Sequence, residues 1–345
     1  MKILIFRETE IKNLNPVVAS TNGMGATETC VTELANALSK NNIVKVCCPC
    51  NESQVYGDVE YISFKDYSQL STIINLFCPD IFIVTGNPRA LFDRRFTNCK
   101  IIFWQHNHPD EVKHFPIHKL FSIPDLKIVF PSPEAAEIGK KRYGHEDRIH
   151  GIYNGVRLNI FSKVKEKEKN KISFCGSLTR AKGALNLLNH CNELKEYKIY
   201  ICSGFDLYGA IDIEYKNSCE PLIAANENVI LTGTLSPNNL SEHLASSELC
   251  IVNPVPGHKE TCCVSALEAM ASNTPVLSGD SSINKIILHG GEYFKGSAFE
   301  LISSIKRLMN DNDKRNELAV SGKQWVQQLS WENIAKKWED YLKNE

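Results

Sequence analysis

Short, nearly continuous apolar runs alternate along the chain with stretches whose apolar positions recur every three or four residues. In the first half, KILIF (2–6), VKVCC (44–48), DIFIV (80–84), KIIFW (100–104) and KIVF (127–130) have strand length and the apolar continuity of strands buried on both faces. Between the first two, TETCVTELANALSK puts Val31, Leu34, Ala35 and Leu38 on one helical face, with Thr27 expected as its cap. Ser132, Pro133 and Glu134 predict another helix start, closed by Gly144. The charged run KVKEKEKNK (163–171) is expected to link two halves, because the pattern then restarts. KISF (171–174), YKIYIC (197–202), NVILT (228–232), LCIV (249–252) and TPVL (274–277) read as strands, with helical periodicity over 183–195, 236–247 and 263–272. WENIAKKWEDYL closes the chain as a helix with Ile334, Trp338 and Leu342 on one stripe. This twofold alternation implies an α/β protein of two doubly wound parallel sheets. Ligands of such folds sit beyond the carboxyl ends of the strands, here expected in a cleft between facing halves.

Length and composition sharpen the class. A chain of 345 residues suits two domains, and 43% hydrophobic with 23% charged residues is ordinary for a soluble globular protein. The formal net charge of -1 gives no electrostatic case for nucleic acid. The opening run reaches a charge at Arg7, too soon for a signal peptide, and no run approaches the ~18 to 20 apolar residues of a membrane span. Thirteen cysteines, an odd number in a long chain, point to reduced thiols and a cytoplasmic location rather than a disulfide scaffold.

Candidate chemistry lies just after strands. TNGMGATET resembles a dinucleotide loop, but Glu28 replaces the third glycine and no acidic residue ends the second strand. A flexible loop before a helix N-terminus remains, suited to an anion or a sugar, or serving as a plain turn. Cys47-Cys48-Pro49-Cys50 holds one C-x-x-C without a second pair, so structural cysteines are expected. WQHNHPDE (104–111) sets His106 and His108 beyond a buried strand. Without a third ligand they do not make a metal site; His106 reads as a hydrogen-bond donor or acid and His108 as structural. Asp311-Asn312-Asp313 follows an amphipathic helix and reads as a solvated helix end.

Two segments carry more. CGSLTRAKG (175–183) follows the first strand of the second half; Gly176 lets the backbone turn, and Arg180 and Lys182 suit a diphosphate or, alternatively, make an exposed basic loop. In GHKETCCVSALE (257–268), Glu260 lies in a loop and Glu268 two turns into the next helix. The N–H groups of Thr261, Cys262, Cys263 and Val264 are expected to meet an anionic ligand there. Thiolates would repel phosphate, so both cysteines are expected to serve as small residues, and His258 as a peripheral one. Lys140-Lys141-Arg142 reads as a solvated helix face or a weak peripheral membrane contact.

Taken in order, these segments resemble a family 4 glycosyltransferase of the GT-B fold, over nearly the whole chain. The resemblance rests on GATE, WQH, the serine-led helix after KIVF, YNGV (153–156) and G-x-L-x-x-x-K-G from Gly176 to Gly183. It continues through VILTGTLS and LCIVNP to E-x7-E from Glu260 to Glu268, running into LEAMA and TPV. It implies two Rossmann-like domains, 1–160 on the acceptor side and 161–327 on the nucleotide-sugar side, with a last helix, 328–345, returning to the first. It also implies transfer of a sugar from a UDP-, GDP- or ADP-sugar to a hydroxyl of a glycan, lipid-linked or small acceptor. Configuration would be retained, with no metal or other cofactor. By position, Glu260 would hold the donor sugar and Glu268 the ribose, while Lys182 and the amides of 261–264 hold the diphosphate. His106 would sit by the reacting sugar, Gly25 and Ala26 would approach the donor, and Thr234 and Leu235 would border the base.

The chain departs from that family at Ser177, where arginine is usual, and at Ala26 and Asn273, where glycine is usual. It also has Lys285 where glutamate is common, and T-C-C after Glu260 where glycines are common. A sugar-nucleotide epimerase of the same fold and a non-catalytic nucleotide-sugar-binding protein are the alternatives.

Overall fold

The computed structural model describes residues 1–9, 13–92, 99–109, 117–205, 211–281 and 283–344. It divides into two compact units: residues 1–19, 26–155 and 331–345 form unit 1, and residues 20–25 and 156–330 form unit 2. The charged run 163–171 lies inside unit 2, where Lys163 and Lys165 pair with Glu242 and Lys171 pairs with Glu168.

Among the described residues, unit 1 is built on eight strands: β1 Lys2–Arg7, β2 Ile43–Cys48, β3 Gln54–Tyr56, β4 Val59–Ser63, β5 Ile81–Thr85, β6 Lys100–Trp104, β7 Lys127–Phe130 and β8 Ile149–Gly151. Their order across the sheet is β3-β4-β2-β1-β5-β6-β7-β8, parallel except for the β3–β4 hairpin at one edge. Side chains of β1 and β5 are buried on both faces, which requires the Val, Ile and Phe runs seen there. The helix Ala26–Leu38 buries Val31, Leu34, Ala35 and Leu38, as its periodicity requires. Thr27 falls inside its first turn and does not cap it. The helix Pro133–Tyr143 is capped by Ser132, whose hydroxyl accepts from the Ala135 N–H, and ends at Gly144 with φ 69°. Its last turn carries Lys140, Lys141 and Arg142, where cations complement the helix dipole. The final helix, Trp331–Asn344, buries Ile334, Trp338 and Leu342. Trp338 meets Trp104 edge-on at 5.4 Å between ring centroids.

Among the described residues, unit 2 has six parallel strands: β9 Lys171–Phe174, β10 Lys198–Ile201, β11 Val229–Leu231, β12 Leu249–Val252, β13 Val276–Gly279 and β14 Gly291–Phe294, in the order β11-β10-β9-β12-β13-β14. β13 starts two residues later than the TPVL run, because Thr274 and Pro275 lead into it and Pro275 has no N–H to offer the sheet. The helical stretch 183–195 is broken into Ala184–Leu188 and a 3-10 turn, Cys191–Leu194. The polar pair Asn189 and His190 interrupts its apolar period.

Among the parallel strands of each sheet the order reverses between β1 and β5 in unit 1, and between β9 and β12 in unit 2. Loops leaving adjacent strands at such a point diverge to opposite faces and open a crevice at the carboxyl edge. The loops after β9 and β12 are the two richest segments of the sequence. Among the described residues, no helix is long and apolar enough to cross a membrane.

Candidate active site

In unit 2 the loop after β9 runs from Cys175 to Gly183. Gly176 has no left-handed backbone, and a Cβ there would meet Phe174 at an ordinary 3.5 Å. The special glycine of this loop is Gly183, with φ +72° and space for a Cβ only 2.2 Å from Val255 Cγ2. That close approach packs the loop after β9 against the loop after β12 and fixes where Lys182 sits. Ser177 is buried, with its hydroxyl 3.4 Å from Thr179 Oγ1.

Lys182 forms an ion pair with Glu260 of the β12 loop. Arg180 does not join them: its guanidinium pairs with Glu214 at 2.8 Å and Asp212 at 3.4 Å, beside the helix Ile213–Ala224. It was expected to face a diphosphate, but two carboxylates with no sequence signal hold it, so Lys182 is the basic group of this loop that joins the cluster.

Glu260 is held from behind by His258. The Glu260 N–H donates to His258 Nδ1 at 3.3 Å, and His258 Nε2 lies 3.2 Å from both the Gly279 carbonyl and the Ser278 hydroxyl. A ring that accepts at Nδ1 must carry its proton on Nε2, so the imidazole is neutral and donates toward Gly279. Burial, with help from the positive charge of Lys182, pushes its pKa down to about 4. Ser281 donates to the His258 carbonyl, and the Gly257 N–H donates to the Asp280 carbonyl. The Glu260 loop is thus fastened to the end of β13. His258 is a supporting residue and not the peripheral one that its place in the sequence suggested.

The helix Val264–Ala271 begins immediately beyond. Cys263 is its N-cap residue but makes no side-chain cap bond. Its N–H donates to Asn284 Oδ1 at 3.4 Å, so of the four amides expected to meet an anion this one has a protein acceptor. Val264 opens the helix, where N–H groups have no acceptor within the helix itself. Thr261, Cys262 and Cys263 are buried. Burial raises the Cys263 thiol pKa, and its sulfur accepts from Asn253 Nδ2 at 3.5 Å. A protonated buried thiol is a poor nucleophile and a poor metal ligand. Cys263 also feels Lys182 and Glu268 electrostatically, so these three side chains share one neighbourhood.

Glu268 is 7% exposed and lies 3.3 Å from the guanidinium of Arg157, itself 8% exposed. Arg157 follows YNGV directly and was not singled out from the sequence. Its signal is a charged residue inside VRLNIF, whose Val156, Leu158, Ile160 and Phe161 are apolar. At the far end of the same helix, Asn273 adopts φ 57°. Asparagine tolerates the left-handed region better than most residues, which accounts for its standing where glycine is common.

Residues 20–25 belong to unit 2. Gly23, at φ +72°, lies against the Leu235 carbonyl and Thr234, and a Cβ there would come within 2.7 Å of that oxygen. Thr234 and Leu235 thus meet this glycine loop, just before the helix Pro237–Ser246. Gly25 ends the unit-2 segment, and Ala26 starts the helix Ala26–Leu38 of unit 1.

In unit 1, His106 follows β6 and packs on Trp104 at 4.5 Å between ring centroids. Its Nε2 is buried. Burial, aided by the positive charge of Arg7, pushes its pKa down to about 3. The ring is neutral at physiological pH, so of the two roles expected for His106 the hydrogen-bonding one fits and that of an acid does not. Arg7 is tied to the buried Glu28 at 2.5 Å, and Thr9 donates to the same carboxylate oxygen. Glu28, in the place of a dinucleotide loop's third glycine, is therefore an internal counter-charge. His108 is buried. Residues 110 and 111 of WQHNHPDE lie outside the described residues.

The remaining candidates are structural. Cys47 and Cys48 are buried at the end of β2, and burial pushes the Cys47 thiol up to about 12. All thirteen cysteines are free thiols. Asp311 caps the helix Asn312–Val326 by accepting from the Lys314 N–H. Among the described residues, no three His, Cys, Asp or Glu side chains group so as to hold a metal ion.

Known proteins bear on these units. Residues 156–325, just under half of the chain, match the family model described as glycosyl transferases group 1. A D-inositol 3-phosphate glycosyltransferase of Corynebacterium aurimucosum is 26% identical over 230 residues, 60% of this chain and 54% of that protein. The chain spans about half the length of the curated relatives it matches. A sucrose-phosphate synthase from Thermosynechococcus elongatus superposes with a TM-score of 0.84 at 15% identity, over 100% of this chain and 98% of that one. Anabaena HepE in complex with UDP-glucose superposes with a TM-score of 0.75 at 15% identity, over the full length of both. At such identities the likeness is one of fold, and the fold is GT-B.

Proposed function

Because residues 156–325 match the family model described as glycosyl transferases group 1, we propose that this chain is a glycosyltransferase. It moves a sugar from a nucleoside diphosphate sugar to a hydroxyl acceptor. One observation carries the reading: Lys182 and Glu260 are paired beside the N-terminus of a helix that also bears Glu268. A nucleotide sugar calls for such groups: a carboxylate for sugar hydroxyls, a cation and a helix terminus for a diphosphate, and a second carboxylate for a ribose.

In the reaction, the bond from the anomeric carbon to the β-phosphate oxygen breaks. The acceptor oxygen bonds to that carbon on the same face, and its proton passes to the departing phosphate oxygen, so configuration is retained. Lys182 and the first-turn amides offset charge growing on the leaving diphosphate without a metal. A uridine nucleotide is a natural first donor to try, since HepE was solved with UDP-glucose.

Slow release of free sugar from UDP-, GDP- or ADP-sugars without any acceptor tests the reading. A transferase leaks sugar to water. A protein that binds a nucleotide sugar yet releases none over many hours is the non-catalytic alternative, and one that inverts a sugar centre is the epimerase.

A further inference from the structure

Glu268 is nearly inaccessible, and a carboxylate taken out of water is costly unless a counter-charge or hydrogen bonds replace the lost solvation. Arg157 supplies that charge from a position 111 residues away in sequence, with its guanidinium at Glu268 Oε1. It is a well-anchored partner. The Arg157 carbonyl accepts N–H bonds from Ile160 and Phe161, both at 3.0 Å, and the guanidinium lies 5.5 Å from the centroid of the fully buried Phe161 ring. The preceding residue, Val156, donates to the Leu329 carbonyl and bridges to Ser330. An arginine whose backbone is anchored and whose guanidinium lies over a buried ring has little rotamer freedom left to lose, and it can fix the plane of the carboxylate it touches. A freely rotating glutamate would instead have to be ordered by its ligand, at a cost in affinity.

We propose that Arg157 is a positioning residue for the donor: it orients Glu268 as the acceptor of the ribose hydroxyls of a nucleoside diphosphate. This rests on the nucleotide-sugar reading above. Arg157 touches no reacting atom, and its effect depends on the ribose hydroxyls being present.

Calorimetric titration with UDP, GDP and ADP identifies the nucleotide that binds the wild-type chain, and its 2′,3′-dideoxy counterpart is then titrated alongside. Arg157→Gln weakens the ribonucleotide by about 10-fold or more, the usual scale for a charge-assisted hydrogen bond, and the dideoxy nucleotide by less than about 2-fold. Arg157→Lys keeps the charge but not the planar fork, and gives an intermediate loss confined to the ribonucleotide. Its ratio decides the matter if Arg157→Gln does not fold. Equal losses for both nucleotides mean a merely structural pair and overturn the proposal, as does no loss for either. If none of the three diphosphates binds the wild type, the donor reading itself has failed, and the inference falls with it.

Discussion

Replacing His258 by asparagine probes how the Glu260 loop is held. Asparagine can put Oδ1 near the place of Nδ1 and keep an acceptor for the Glu260 N–H, but it removes the titratable ring. The folded ring has a pKa of about 4, against about 6.5 for an unperturbed histidine. A base whose folded pKa is depressed takes up its proton more readily when unfolded, so its contribution falls as pH drops from the unfolded value toward the folded one. At pH 6 few folded rings and most unfolded ones are protonated; by pH 5 nearly all unfolded rings are. Linkage then removes about 1.2 kcal/mol of stability between pH 6 and pH 5. Other titrating groups are common to wild type and variant and largely cancel in the comparison. Urea unfolding at the two pH values reads the difference, with the wild type losing about 1.2 kcal/mol more than His258→Asn. Nitrogen chemical shifts of the ring give a direct check: the proton stays on Nε2 and the ring stays neutral down to pH 5. Equal losses in the two proteins, or a ring titrating near 6.5, would refute the reasoning.

Two further outcomes follow from the packing of unit 2. Gly183→Ala forces a left-handed alanine into Val255 and is expected to cost about 1–3 kcal/mol by chemical denaturation, whereas Gly176→Ala is expected to stay within about 0.5 kcal/mol. Equal effects would mean that the two loops do not meet at Gly183. Cys263 is expected to resist iodoacetamide at pH 7 in the folded chain, and Cys262→Ser with Cys263→Ser to keep donor turnover within about tenfold. Rapid alkylation of Cys263, or loss of turnover while donor binding survives, would restore sulfur chemistry to the site.

The long buried strands were legible because sheet position and apolar continuity share one cause: β1, β5 and β6 are covered on both faces. Gln54–Tyr56, Val59–Ser63, Ile149–Gly151 and Gly291–Phe294 were not recognised as strands. Each has three to five residues, too few to show a clear period, and pairing with a neighbour rather than local pattern makes them strands. The helix at Pro133 was readable at both ends because cap chemistry is local: a serine, a proline and a glycine act within one turn. In unit 2, Lys182, Glu260 and Glu268 were singled out because they follow strand ends, and the structure pairs Lys182 with Glu260 and sets Glu268 on the next helix. Arg180 and His258 were misjudged, and Arg157 was missed, for a single reason. What each does is set by partners distant in sequence: Asp212 and Glu214 for Arg180, Gly279 for His258, Glu268 for Arg157.

The central claim is that Glu260 and Lys182 belong to a nucleotide-sugar site, and a donor panel tests it most directly. UDP-, GDP- and ADP-sugars are assayed for binding and sugar release with wild type and Glu260→Ala. At least one donor is expected to bind and turn over slowly in the wild type. Glu260→Ala is expected to lower turnover of that donor by about 100-fold or more while binding of the parent nucleoside diphosphate changes by less than about tenfold, because the carboxylate meets the sugar and not the nucleotide. Absence of binding to every donor in the wild type, or a Glu260→Ala variant that turns over the donor as the wild type does, would contradict it.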